Sequence, residues 1–108
     1  LVQDSPDPIA LIDADLRITF VNQALEWAAA RPAGRLLGRT IRQAGLPDDL
    51  AARWERAIRS VFAGGEAFTI DFRFTTPDGP RWFSARLLPE AGAERQSGHV
   101  IAVCTDGS

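Results

Sequence analysis

The sequence predicts an α+β fold in which helices pack on one face of an antiparallel sheet. Two short apolar segments stand near the start of the chain, a segment with helical periodicity occupies the middle, and three alternating segments close it. Strands alternate their side chains with a period of two, whereas helices repeat every three or four residues. The order strand-strand-helix-helix-helix-strand-strand-strand keeps the two kinds of element in separate runs, which favours α+β packing.

The first two strands are predicted over Ile9–Ile12 and Leu16–Val21. Asp13–Asp15 favours a turn between them, because aspartate side chains hydrogen-bond to nearby backbone groups, and the pair is a predicted hairpin. Polar residues 1–7 predict a linker or short cap, 8–106 the domain itself, and 107–108 the start of an exit linker. Since the sequence contains no Met, we interpret it as one domain of a longer protein.

A helix over 23–30 is predicted after Asn22, whose side chain can accept a hydrogen bond from the first helical turn. Such an N-cap stabilises a helix by about 1 kcal/mol. The arginine-rich segment 35–45 predicts one or two loose helical turns.

The strongest helix is predicted from Pro47 to Ala63, because proline suits a first turn and the aspartates that follow complement the positive helix end. Its apolar stripe repeats at three- and four-residue steps and comprises Leu50, Trp54, Ala57, Ile58 and Val61. Glu55 is expected to pair with Arg59 one turn later. Gly64–Gly65 is expected to end the helix.

The three closing strands alternate strictly. The first is predicted to point one face toward the helices, with Phe68, Ile70, Phe72 and Phe74. The Pro77–Pro80 turn then carries this register onward, because proline fixes φ and glycine accepts a positive φ. It places Phe83, Ala85 and Leu87, and later Val100, Ala102 and Cys104, on the inner face. A register error of one residue would invert every assignment.

Composition argues against several classes of function. The net charge of −2 predicts no surface for nucleic acid or anionic membranes, and no apolar run approaches the roughly 18 residues of a membrane span. All 12 basic residues are arginine, which excludes a lysine Schiff base. A single cysteine allows no internal disulfide and suits a reducing compartment, so a cytoplasmic location is expected.

Four segments resemble the PAS family of sensory domains: PIALIDADLRITFVNQAL at 8–25, GRT at 38–40, PDGPRWFSARLLP at 77–89 and CTDGS at 104–108. They are similar to the family's opening hairpin and helix cap, the glycine before its middle helix, its fourth strand and its closing motif. The resemblance implies a five-stranded antiparallel sheet in the spatial order 2-1-5-4-3, with helices on one face.

The resemblance also raises the question of a cofactor. Flavin-binding relatives carry a cysteine on the middle helix, where this chain has Ile41, and amide side chains on the last three strands, where it has Phe74, Phe83 and Cys104. A flavin would leave polar groups unpaired here, at about 1–3 kcal/mol each. Haem-binding relatives use a histidine on the long helix, and this helix has none. Neither flavin nor haem is therefore expected.

One histidine and one cysteine remain as candidates for chemistry. His99 and Cys104 are too few for a metal site, and their odd spacing places them on opposite strand faces. We interpret His99 as a surface imidazole at a strand edge and Cys104 as a small core thiol, with a redox sensor or chromophore anchor as the alternative for Cys104. Phosphate-loop, zinc-protease and nucleophile-elbow motifs do not occur, so no enzyme is expected.

The predicted inner face and the helices above it are rich in apolar groups. This pocket is either filled by its own aromatic rings, which we favour, or holds a small apolar ligand. A continuous cavity above about 300 Å³ would contradict the filled core. The candidate pocket residues are Ile41, Trp54, Ile58, Phe72, Phe74, Phe83, Ala85 and Cys104.

The opposite face of the sheet carries a second candidate site. Trp82, Leu88, Ile101 and Val103 are predicted to form an apolar patch there, which a protein rarely leaves uncovered. The resemblance implies that an N-terminal segment, a second copy of the chain or a neighbouring domain covers it, and the first eight residues are an alternative cover.

These observations predict a PAS sensory and interaction domain of a bacterial signalling protein, by resemblance a histidine kinase or a cyclic-dinucleotide enzyme. It would sense a small apolar ligand or a partner and bias an output element beyond Asp106. The alternatives are a ligand-free homodimerisation module with a filled core and, less favoured, a small-molecule enzyme of another α+β family.

Overall fold

Five strands form one antiparallel sheet in the order β2-β1-β5-β4-β3, the predicted order, and helices cover one of its faces. The computed structural model describes residues 6–90 and 98–107. The elements are β1 (Ile9–Asp13), β2 (Ile18–Val21), α1 (Gln23–Ala29), a 3-10 helix (Ala33–Arg35), α2 (Asp48–Gly64), β3 (Phe68–Thr76), β4 (Gly79–Pro89) and β5 (His99–Asp106). Most of the predicted N-terminal linker and Ser108 lie outside the described residues.

The β1–β2 hairpin is confirmed, but β2 begins two residues later than predicted. The Asp13 carboxylate accepts hydrogen bonds from the backbone N–H groups of Asp15 and Arg17. Leu16 takes a left-handed conformation, with φ of 65°. The aspartate turn therefore extends through Arg17 and leaves Leu16 outside the strand.

Asn22 is confirmed as the N-cap of α1, and it also joins the helix to the hairpin. Its Oδ1 accepts from the backbone N–H of Leu25 at 3.0 Å and from that of Ile9 at 2.9 Å. Its Nδ2 donates to the carbonyl of Asp7 at 2.9 Å. Because Asn22 is fully buried, each of these bonds forms where water cannot replace it.

Helix α2 buries the predicted stripe, but two details of its ends and surface differ. Pro47 is the N-cap rather than the first helical residue. Glu55 forms its ion pair with Arg42, not with Arg59 as predicted, through bonds of 3.0 and 3.2 Å. The segment before α2 brings Arg42, which is 13 residues away in sequence, beside Glu55. Its guanidinium donates two hydrogen bonds to the carboxylate, and such two-bond pairs are among the stronger ion pairs.

The β3–β4 register pairs Phe72 with Phe83 and confirms the predicted alternation of faces. Phe68 shares this face, because it pairs with the buried Leu87, but 45% of its surface is exposed at the first residue of β3. The inner positions of β4 and β5 are all buried: Phe83, Ala85, Leu87, Val100, Ala102 and Cys104.

Candidate functional site

An apolar cavity of about 170 Å³ lies between the sheet, α1, the segment before α2, and α2 itself. Every strand contributes to its wall. Six of the predicted pocket residues line it: Ile41, Trp54, Phe72, Phe74, Phe83 and Cys104. The cavity is smaller than the roughly 300 Å³ that would exclude a filled core, yet the aromatic rings leave space beside them. The filled core and the ligand pocket therefore both stay predictions.

Two predicted pocket residues do not line the cavity. Ile58 and Ala85 are completely buried, and both belong to the solid part of the core. Ile58 lies one turn beyond Trp54 on α2, and Ala85 lies two residues beyond Phe83 on β4. The periodicity of Ile58 and Ala85 predicted that their side chains face the core. It did not predict which part of the core contains the cavity.

Sequence reasoning missed the wall that α1 and the hairpin provide. Ala10, Ile12 and Ile18 line the cavity from the hairpin, and Leu25, Ala28 and Ala29 line it from α1. The apolar alternation of β1 and the spacing of apolar residues on α1 were signals that could have identified this wall.

Three aromatic rings form one wall. Trp54 meets Phe72 edge to face, with ring centroids 5.5 Å apart, and Phe72 stacks on Phe83 at 5.7 Å. The indole Nε1 of Trp54 is buried and has no hydrogen-bond partner within the described part of the chain. An unpaired buried donor costs about 1–3 kcal/mol, so this N–H is a polar feature in otherwise apolar surroundings.

Arg31 is the single charged side chain among the lining residues that the structure describes. It follows the helix cap Ala30, which takes a left-handed φ of 56° and ends α1. The guanidinium donates to the carbonyl of Ala44. A side chain at Gly45 would collide with this guanidinium, so the glycine admits the close approach. Arg31 therefore joins the end of α1 to the segment before α2 at the exposed rim of the cavity.

Cys104 lines the cavity from β5 and is buried. Loss of solvation raises the pKa of its thiol to about 12, with a further contribution from the negative charge of Asp7. The thiol is consequently protonated at neutral pH, and a protonated thiol is a poor nucleophile.

The structure divides the predicted patch on the outer sheet face. Leu88 and Ile101 are direct cross-strand neighbours and half-buried, and Val103 follows on the same face. Trp82, which is 54% exposed, lies six residues along β4 from Leu88, a separation of about 20 Å at 3.3 Å per residue. The backbone N–H of Gly107 donates to the carbonyl of Trp82, so Trp82 lies where the chain leaves the sheet.

Arg81 connects that exit to helix α1. Its guanidinium bonds to Asp106 and to Asp78, each at 3.1 Å. It also lies 5.7 Å from the centre of the Trp27 ring on α1, within reach of a cation–π interaction.

The described residues also lack a candidate metal site and a candidate membrane-spanning helix. Residues 6–90 and 98–107 contain no group of three or more His, Cys, Asp or Glu side chains placed to hold a metal ion. His99 is half-buried at the start of β5, with Nδ1 3.3 Å from a carboxylate oxygen of Glu90. Over the same residues, no helix has the length and apolar character needed to cross a membrane.

Solved structures share this architecture. The PAS domain of BvgS from Bordetella pertussis has a TM-score of 0.81 at 23% identity, covering 99% of this chain and 81% of that chain. A domain of an HTR-like protein from Haloarcula marismortui has a TM-score of 0.78 at 20% identity, covering 96% and 100%. The PAS domain of the quorum-sensing receptor RpfR from Cronobacter turicensis, in complex with BDSF, has a TM-score of 0.77 at 18% identity, covering 100% of both chains.

At these identities the structural likeness shows the fold alone, and no curated protein matches the chain. The decisive comparison is with the family described as the PAS fold, which matches residues 2–108. The match spans the hairpin, the cavity and the closing strands, and the chain therefore belongs to the PAS family of sensory domains.

Proposed function

We propose that this PAS domain binds a small apolar ligand in the apolar cavity between its sheet and helices and relays binding to an output element beyond Asp106. The observation that carries the proposal is the cavity of about 170 Å³ with an almost wholly apolar wall. An engineered cavity of about 150 Å³ with a similar apolar lining binds benzene. A ligand with about six to eight carbon atoms therefore suits the space.

A chain of contacts supports the relay. Helix α1 forms one wall of the cavity, and Trp27 on its outer side contacts Arg81. Arg81 in turn bonds to Asp106, the last residue of β5. A ligand that shifts α1 would therefore change the surroundings of Arg81 and bias the conformation of the exit.

The cofactor and the parent protein are parts of the same proposal. A flavin is much larger than the ligand of about six to eight carbon atoms that suits a cavity of about 170 Å³. Phe74 and Phe83 also lack the amides that a flavin needs. We therefore propose a domain without flavin or haem. By family resemblance the parent is a cytoplasmic bacterial histidine kinase or cyclic-dinucleotide enzyme, and the domain itself is not catalytic.

The cavity can be tested by filling it. Ala44→Leu places a larger side chain on the cavity wall, whereas Ala52→Leu makes the same change at a half-buried position of α2 that does not line the cavity. Benzyl alcohol and 1-hexanol serve as probes in NMR titrations, and native mass spectrometry of the purified protein detects a retained ligand. We expect saturable binding to the wild type and to Ala52→Leu, and its loss in Ala44→Leu. Equal binding by both variants, or none by the wild type, contradicts the proposal.

The ligand-free homodimerisation module is the second candidate, and the outer sheet face favours it. Leu88, Ile101 and Val103 at one end and Trp82 at the other present apolar surface. A second copy of the chain, or the N-terminal segment of the same chain, would cover this surface and remove it from water.

A further inference from the structure

We propose that the ligand is a small monocarboxylate with an apolar body, and that Arg31 binds its carboxylate at the rim of the cavity. This inference rests on the proposed function, because it names the chemical class of the ligand that the cavity holds. The structural basis is one guanidinium at the edge of a space whose other described lining residues carry no charge.

The charge of Arg31 lacks a counterpart. None of the ion pairs among the described residues involves Arg31. The acidic residue closest to it in sequence is Glu26, whose carboxylate accepts from the backbone N–H of Ala33. The bond to the Ala44 carbonyl uses one terminal nitrogen. A guanidinium has five N–H donors in a planar fork, so donors remain for a carboxylate, the partner whose geometry matches that fork best.

Neighbouring arginines do not offer the same site. Arg42 is neutralised by Glu55 and Asp48, and the hydrogen bond to Glu55 is the main cause that raises its pKa. Arg17 and Arg39 donate to backbone carbonyls on the segment before α2 and do not line the cavity. Arg31 is thus the guanidinium that an anion reaches while its apolar body stays inside.

The size of the cavity limits the apolar body of the ligand to about six to eight carbon atoms, by comparison with an apolar cavity of about 150 Å³ that binds benzene.

The test compares each acid with its neutral amide. Phenylacetate and phenylacetamide, then hexanoate and hexanamide, are titrated into the whole chain and followed by NMR. The variants are Arg31→Gln and, as a matched control, Arg35→Gln, which removes the same charge from an exposed side chain that does not line the cavity. Thermal unfolding establishes that both variants are folded.

We expect the wild type to bind each acid about ten-fold more tightly than its amide, the size of one charge-assisted hydrogen bond at a partly exposed site. Arg31→Gln should remove that preference, whereas Arg35→Gln should keep it. Equal binding of acid and amide by the wild type, or the same loss in both variants, overturns the carboxylate proposal alone. If neither acid nor amide binds, the cavity proposal fails with it.

Discussion

The chain has one Cys and no Tyr, and all of its basic residues are arginine. Cys104 is therefore the one side chain in this sequence that ordinarily titrates between about pH 8 and 11. Burial raises the pKa of this thiol from 9.0 to about 12. Below pH 9 the thiol is protonated in both the folded and the unfolded chain, and it does not affect the free energy of unfolding. Above pH 9 the unfolded chain ionises first, so stability is lost.

We therefore expect the free energy of unfolding to fall by about 1.4 kcal/mol per pH unit from pH 9 towards pH 12. Urea unfolding at a series of pH values measures this slope. Cys104→Ala removes the titrating group, so its free energy of unfolding should not fall between pH 9 and pH 12, even if the variant is less stable than the wild type at pH 7. A variant profile that declines as steeply as the wild type would show that another group is responsible.

Asn22 tests the value of a single amide that serves as both acceptor and donor. Asn22→Ala deletes the bonds to Leu25, Ile9 and Asp7. We expect the free energy of unfolding to fall by about 2–4 kcal/mol, because a buried partner left unpaired costs about 1–3 kcal/mol. Asn22→Asp keeps the two accepted bonds but faces the Asp7 carbonyl without a donor. Asn22→Asp should therefore be less stable than the wild type but more stable than Asn22→Ala. Chemical denaturation ranks the three proteins, and an alanine variant as stable as the wild type contradicts the assignment.

At the scale of the element, helix α2 ends between two adjacent glycines, which differ in backbone conformation. Gly64 is the last helical residue, whereas Gly65 takes a left-handed φ of 73° and caps the helix. A Cβ would meet nothing within 4 Å at either position, so backbone conformation alone distinguishes them.

We expect Gly64→Ala to raise the free energy of unfolding by about 0.5–1 kcal/mol through helix propensity. Gly65→Ala should lower it by about 1 kcal/mol, because alanine is strained in the left-handed region. Thermal and urea unfolding of the two variants provide the comparison. Changes of the same sign in both would mean that the helix ends elsewhere.

Elements were predictable where local physics decides them. The stripe of α2, the cap at Asn22 and the alternation of β3 to β5 follow from periodicity and short-range hydrogen bonding, and all of them are confirmed. The predictions for Leu16 and for the partner of Glu55 were wrong, because a turn and a guanidinium distant in sequence decided them.

At the scale of the whole molecule, the outer sheet face predicts self-association. Trp82 lies beside the chain exit and is 54% exposed, and Trp27 on α1 is 45% exposed. We expect Trp82→Ala to raise the dimer dissociation constant at least about ten-fold, as aromatic residues at interface centres do, and to change the midpoint of thermal unfolding little. Analytical ultracentrifugation measures the association.

Trp27→Ala is the matched control, since it removes an equally large exposed ring from the helix side. Leu88→Asp separates the two ends of the face, because Leu88 lies about 20 Å from Trp82 at 3.3 Å per residue. If Leu88→Asp dissociates the dimer and Trp82→Ala does not, the interface lies at the Leu88 end. A wild-type protein that stays monomeric at all concentrations contradicts self-association altogether.

From the sequence, the resemblance to the PAS family implied the order of the strands, and periodicity determined the inward or outward direction of nearly every core residue. The direction of a side chain depends on period, turn chemistry and capping, which act over a few residues. Only the tertiary structure decided where the core leaves a cavity, that Arg31 stands at its rim, and that Trp82 is separated from Leu88 and Ile101. These depend on distances between residues remote along the chain, which packing sets and no local pattern records.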